Sequence, residues 1–225
     1  MASSVIAIDG PAASGKSTMA RMLAERLNIP YINTGSLYRA IAWKALKLGI
    51  PCKDAARIAD MLETTRVRYA VPPEGGNPDI EIDGAFPGAL LRTQEVAQGA
   101  SDVATLPLVR RFTLDIQRDA AKRQLVVMEG RDIGTAIFPD AAHKFFLTAT
   151  PEARAKRRLS QGGETPDGAT VASVAAEIAE RDRQDSERAV APLKRADDAI
   201  FIDNSGLSIE ETLQLLLKHV KGNES

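Results

Sequence analysis

Eight residues, Gly10-Pro11-Ala12-Ala13-Ser14-Gly15-Lys16-Ser17, read G-x-x-x-x-G-K-S, and they constrain this chain more than any other stretch. Ahead of them runs the apolar segment Val5-Ile6-Ala7-Ile8. After them Met19, Met22, Leu23 and Leu27 fall at helical spacing. Strand, glycine loop and helix together are the setting in which such a sequence wraps a phosphate group. Glycines let the backbone curl tightly, successive N–H groups converge, and the positive end of the helix dipole adds to them. Gly10 to Ser17, with Thr18 behind them, are therefore the candidate nucleotide-binding set. Lys16 is expected at the β/γ-phosphates and the Ser17 hydroxyl on a magnesium ion.

Beyond the loop, strands and helices continue to alternate. Tyr31-Ile32-Asn33 is a short apolar strand, which closes a β-α-β unit with a right-handed crossover. Leu125-Val126-Val127-Met128, Lys144-Phe145-Phe146-Leu147 and Ala199-Ile200-Phe201-Ile202 are three more strands. Helical spacing lies between them, at Leu37 to Leu48, 54–63, 92–105, 107–123, 150–161, 171–188 and beyond the Ser208-Ile209-Glu210-Glu211 capping box. Five apolar strands alternating with helices predict an α/β fold of the phosphate-loop type, a parallel sheet covered on both faces. The period changes between Thr65 and Leu91, where Val67, Tyr69 and Val71, then Ile80 and Ile82, alternate with polar residues around glycine and proline turns. This segment predicts a small antiparallel insert that must rest on neighbouring helices.

Ligands of such sheets sit beyond the carboxyl ends of the strands. The stretches to watch are thus the loop itself, Thr34-Gly35-Ser36, Glu129 to Asp132, and Thr148. Arginine collects near them. Arg154, Arg157 and Arg158 precede the polar loop Gly162–Gly168, while Arg181, Asp185 and Arg188 follow it at i, i+4, i+7 on one helix face. Two cationic clusters joined by a flexible loop predict a lid, about 154–188, that closes over phosphates and excludes water. Arg39, Arg110 and Arg131 are candidates for a second, phosphate-bearing substrate, because a guanidinium grips phosphate as a bidentate fork. Arg111 reads as a surface residue.

The remaining features bound the chemistry. The formal charge of −1 argues against a dedicated nucleic-acid binder. A single cysteine, Cys52, excludes an intrachain disulfide and a CxxC metal site. No apolar run approaches membrane-spanning length, and Met1-Ala2-Ser3-Ser4 leads straight into the first strand. The expectation is a cytoplasmic monomer with small-molecule partners and no membrane attachment.

Several longer strings resemble the bacterial cytidylate kinases, a branch of the nucleoside monophosphate kinases, over nearly the whole chain after Val5. They are Ile8-Asp9-Gly10-Pro11, Thr34-Gly35-Ser36-Leu37-Tyr38-Arg39, Arg92-Thr93-Gln94-Glu95-Val96, Glu129-Gly130-Arg131-Asp132-Ile133-Gly134-Thr135, Phe138-Pro139-Asp140-Ala141, Glu180-Arg181-Asp182 and Arg188-Ala189-Val190-Ala191-Pro192-Leu193. The resemblance implies ATP and magnesium, with CMP or dCMP as acceptor. It implies one kinase domain over 1–225, with a core of 1–62 and 92–225 and a monophosphate-binding insert at 63–91. By resemblance Thr34, Arg39, Arg110 and Arg131 hold the acceptor phosphate, Ser101 and Asp132 read the cytosine, and Arg181 and Asp185 meet sugar and phosphates. Arg157 and Arg188, with Lys16 and Arg131, act on the transferring phosphoryl group.

This chain departs from the family pattern twice. Ser17 stands where some relatives carry glycine, which favours direct magnesium ligation. Glu129 stands where aspartate is expected, and it reaches a magnesium ion through a water. Other acceptors of the same reaction class (UMP, AMP, dTMP, shikimate) and a nucleotide-binding switch without phosphoryl transfer remain open at this point.

Overall fold

The computed structural model describes residues 3–122, 124–161, 165 and 168–222. At its centre lies a sheet of five strands: β1 (Ser3–Asp9), β2 (Tyr31–Asn33), β5 (Val126–Gly130), β6 (Ala141–Thr148) and β7 (Ile200–Asp203). Their order is β2-β5-β1-β6-β7, and every pairing is parallel. The apolar strand runs explain this, since a parallel sheet with helices on both faces leaves no strand face for polar residues.

Alternation along β1 sorts the core into two layers. Ile6 and Ile8 point with Phe145, Leu147 and Ile202 towards Met19 and Leu23 of α1 (Lys16–Leu27) and Leu213, Leu216 and Val220 of α8 (Ile209–Gly222). Val5 and Ala7 point the other way with Val126 and Met128, onto Ile133, Ile137 and α5 (Pro107–Ala120). Pro107 opens α5 at its first position, where its missing N–H costs nothing. The helix after β2 begins directly at Thr34 rather than after Ser36. In α2 (Thr34–Lys47) the Asn33 side chain accepts the N–H of Ser36 at 3.2 Å and so caps the helix. The capping box at Ser208 forms as expected, with Ser208 Oγ accepting from Glu211 N–H at 3.2 Å and Glu211 Oε2 accepting from Ser208 N–H at 2.8 Å.

After α3 (Ala55–Glu63) comes the alternating segment, which forms the antiparallel pair β3 (Val67–Ala70) and β4 (Asp79–Ile82). Val67, Ile80 and Ile82 are buried on Leu37 and Ala40 of α2. A pair of strands has little stability alone, and this pair takes it from α2. Helix α4 (Gln94–Val103) starts two residues later than its spacing suggests, because a 3₁₀ turn occupies Gly88–Arg92 and Thr93 supplies the cap. Helices α6 (Pro151–Gln161) and α7 (Val171–Glu187) stand together beyond β6. Of the polar loop between them, 162–164 and 166–167 lie outside the described residues. No helix among the described residues is long and apolar enough to cross a membrane.

Candidate active site

The glycine loop leaves β1 at Gly10 and enters α1 at Gly15. Gly10 has φ +154°, and a Cβ there would stand 2.0 Å from the carbonyl oxygen of Leu147. Only glycine permits that approach, which sets the loop tightly against β6. Lys16 is buried and folded back on the loop, its Nζ donating to Pro11 O at 2.7 Å and reaching Ser14 Oγ at 3.4 Å. Burial first, and the neighbouring Arg131 cation second, push its pKa down to about 7. Ser17 stays exposed at the mouth of the cleft.

Two arginines from α6 brace the loop from behind. Arg154 donates to Ala12 O at 3.0 Å and to Ala149 O at 3.0 Å, and pairs with Asp182 of α7. Asp182 in turn accepts the N–H of Ala12 at 2.9 Å. A small apolar cluster of Ala12, Ala155, Val174 and Ile178 lies beside this clamp. The helical pair is thereby seated on the loop. Arg157 donates to Asn204 Oδ1 at 2.9 Å and Asn204 O at 2.8 Å, while Asn204 Nδ2 reaches Ser14 O at 3.1 Å.

Opposite the loop, the same cleft is walled by the ends of β2 and β5 and by α4 and α7. Thr34 is buried and donates from Oγ1 to Glu129 O at 2.8 Å. Arg39 lines the cleft and donates to Leu91 O at 2.9 Å, which ties α2 to the end of the insert. Ser101 lines it from α4, its Oγ 3.4 Å from Ala97 O. Arg131 donates to Asp185 at 2.7 Å. Burial opposes the charge on each, yet the mutual attraction wins: Arg131 titrates above the usual arginine range and Asp185, facing Arg131 and Arg181, below the usual carboxylate range. Asp132 is clasped from two sides, by Arg110 and by Arg188 at 3.2 Å. Arg188 also donates to Ala191 O at 2.6 Å, and the left-handed Ala191 (φ +50°) turns that carbonyl towards it. Two buried guanidinium atoms, Arg181 Nε in this wall and Arg110 Nη1 behind Asp132, make no hydrogen bond among the described residues.

Oxygen donors sit between the two walls. Glu129 is buried, lines the cleft and accepts the Tyr31 O–H at 2.8 Å, and Ser17 lines the same cleft. A hydroxyl and a carboxylate suit a hard cation such as magnesium. Among the described residues no cluster of three or more His, Cys, Asp or Glu could hold a metal alone. This donor set therefore fits an ion that takes most of its ligands from phosphate and water.

The structure brings together most of the residues expected from the sequence. The loop residues Ala12 to Thr18, and Thr34, Arg39, Ser101, Glu129, Arg131, Asp132, Arg181, Asp185 and Arg188, all line one cleft. Gly10 and Pro11 shape the loop from below. Arg110 and Arg157 stand differently from expectation and are not among the lining residues. Arg110 lies behind Asp132. Arg157 is taken up by Asn204, and its neighbour Arg158 faces the cleft instead. One step along a helix turns a side chain by about 100°, so a run of arginines does not say which one faces inward. Arg111 is exposed, as expected. Tyr38 and Asp182 carry no expected site role, and Arg158 is expected only as one of the cationic cluster before the polar loop. Helical spacing from Arg154 pointed to Arg158 at i+4, whereas Asp182, which binds backbone, left no signal in the sequence.

Comparison with known proteins agrees with this geometry. A family model described as cytidylate kinase matches residues 6–222. The cytidylate kinase of Symbiobacterium thermophilum is 43% identical over 217 residues, covering 96% of this chain and 96% of its own length. That of Solibacter usitatus is 43% identical over 219 residues, covering 96% and 92%. That of an Exiguobacterium species is 42% identical over 219 residues, covering 96% and 97%. With a glycine loop facing an arginine-rich wall in a parallel α/β sheet, and a match along nearly its whole length, the chain belongs to the cytidylate kinase family.

Proposed function

We propose that this chain transfers the γ-phosphoryl group of ATP to CMP or dCMP by direct in-line displacement. One observation carries the reading: Lys16 in the glycine loop and Asp132 in its arginine clasp line the same cleft. Asp132 is an acceptor suited to the exocyclic amine of cytosine, whereas uracil turns a carbonyl to the carboxylate and is repelled. Ser101 offers a hydroxyl to the same base. Thr34, Arg39 and Arg131 hold the acceptor phosphate, the unpartnered Arg181 Nε supplies a further donor for anionic oxygens, and Arg110 acts on the acceptor by holding Asp132. Asp185 orients Arg131 and accepts from a ribose hydroxyl.

Gly10 to Thr18 cradle the triphosphate of ATP. Catalysis needs no covalent intermediate, only positioning and charge neutralisation, and Lys16, Arg131 and Arg188 supply them. Arg158 takes the role that the sequence suggested for Arg157, and Arg157 keeps the loop in shape through Asn204. Ser17 would hold a magnesium ion directly and Glu129 would hold it through a water; when bound, the ion would supply neutralisation of phosphate charge. The segment 63–91 serves as the acceptor-side insert of a single domain and 154–188 as the lid over the phosphates. The protein works as a cytoplasmic monomer on small molecules, without nucleic-acid or membrane partners.

A coupled assay with ATP, magnesium and a panel of monophosphates tests this. CMP and dCMP should be turned over far faster than UMP, AMP or dTMP. Preferential turnover of any other acceptor, or hydrolysis of ATP without an acceptor product, would refute the assignment.

A further inference from the structure

The turn after β5 carries both Arg131 and Asp132, and its shape is held from an unexpected place. Strand β1 ends at Asp9, paired in register with Gly130, the last residue of β5. The Asp9 carboxylate is buried and bidentate, accepting the N–H of Ile133 at 2.8 Å and of Gly134 at 2.7 Å. Those are the first N–H groups of the helical turn Ile133–Ile137, which has no side-chain cap from Asp132 before it. Asp9 does not line the cleft.

We propose that Asp9 is a positioning residue for the acceptor side of the reaction, although it adjoins the ATP loop. Arg131 and Asp132 form a two-residue bridge. The sheet fixes one end at Gly130, and the Asp9 carboxylate fixes the other at Ile133 and Gly134. A peptide bridge this short leaves its side chains little freedom once both ends are set. Burial favours the neutral acid and pushes the Asp9 pKa up to about 7, against the pull of its two backbone N–H bonds. A Cβ at Gly134 would lie 3.1 Å from the Lys144 side chain and only in ordinary contact, 3.4 Å, with Asp9 Oδ2, so the contact is disturbed from Asp9 itself.

The inference rests on the acceptor assignment above, and the two fail separately. Asp9→Asn keeps the size of the side chain but turns an amide donor towards one of the two N–H groups. Asp9→Ala removes both acceptor oxygens. In both variants the acceptor KM should rise roughly tenfold or more, as expected when at least one buried hydrogen bond is lost. The CMP-to-UMP ratio should fall, and the KM for ATP should stay within about twofold. Amide hydrogen exchange at Ile133 and Gly134 should quicken at least tenfold, read without substrate. Wild-type protein that ignores CMP but turns over another monophosphate refutes the acceptor assignment alone, and the KM split is then read with that monophosphate. Equal rises in both KM values, or an unchanged acceptor KM in the folded variants, overturns the positioning role.

Discussion

Asp182 and Ala12 are 170 residues apart in sequence and joined by a 2.9 Å hydrogen bond, carboxylate to backbone N–H, with Arg154 held on the same carboxylate. Helices α6 and α7 are thereby fastened to the glycine loop. Removing the carboxylate strands a mostly buried guanidinium and a buried N–H together. Asp182→Ala should cost about 3 kcal/mol of folding stability, the scale of a broken buried pair. It should also raise the KM for ATP, because the loop loses its brace. Chemical denaturation and steady-state kinetics read both, and a variant as stable as wild type would show that the clamp carries no weight.

Arg188 is expected to act mainly in the transition state. Arg188→Ala should lower kcat by about 10³-fold or more while weakening CMP binding far less, since Arg110 still holds Asp132. Equilibrium binding of CMP beside single-turnover rates separates the two effects. Comparable losses in both would make Arg188 a binding residue only.

Asp132→Ala should narrow the preference for CMP over UMP by one to two orders of magnitude. A site built to accept from a substrate N–H rejects an analogue lacking it, and that rejection disappears with the acceptor. The ratio of kcat/KM for the two nucleotides is the measurement. An unchanged ratio removes Asp132 from base recognition.

Lys16 gives the cleft a pH signature. Its folded-state pKa is depressed to about 7, so the empty protein sheds this proton above pH 7 while the unfolded chain keeps it until about 10.5. Stability from this group therefore rises with pH across that window. A bound triphosphate favours the ammonium and reverses the shift. ATP binding at pH 8 should take up about one proton, and affinity should fall as pH rises above 7. Calorimetry at pH 8 in buffers of different ionisation heat counts that proton; a count near zero contradicts the reading.

Much of this molecule was legible in its sequence because its strands are short apolar runs and its loop has a fixed spacing. The parallel sheet, the insert on α2 and most residues at the strand ends follow from those patterns alone. Three things were not legible. The inward-facing arginine of α6 depended on a rotation of one residue, and Arg157 and Arg158 changed places. Arg110 faces the cleft only through Asp132, a pairing made between α5 and the end of β5. Asp9 and Asp182 work by holding backbone N–H groups, and any acidic residue near a loop looks the same until the chain folds.

The pairing of Asp9 with Gly130 sets a length scale for the chemistry. The glycine loop departs from one strand and the turn with Arg131 and Asp132 from its hydrogen-bonded neighbour, at the same level of the sheet. On the function proposed above, the sites of the two substrates thus start one inter-strand spacing apart, about 4.8 Å. Inserting one residue into either strand would slide one starting point along the other by about 3.3 Å. That exceeds the misplacement of about 1 Å that already costs a reaction of this kind a hundredfold in rate. To keep that spacing, β1 and β5 must change length together.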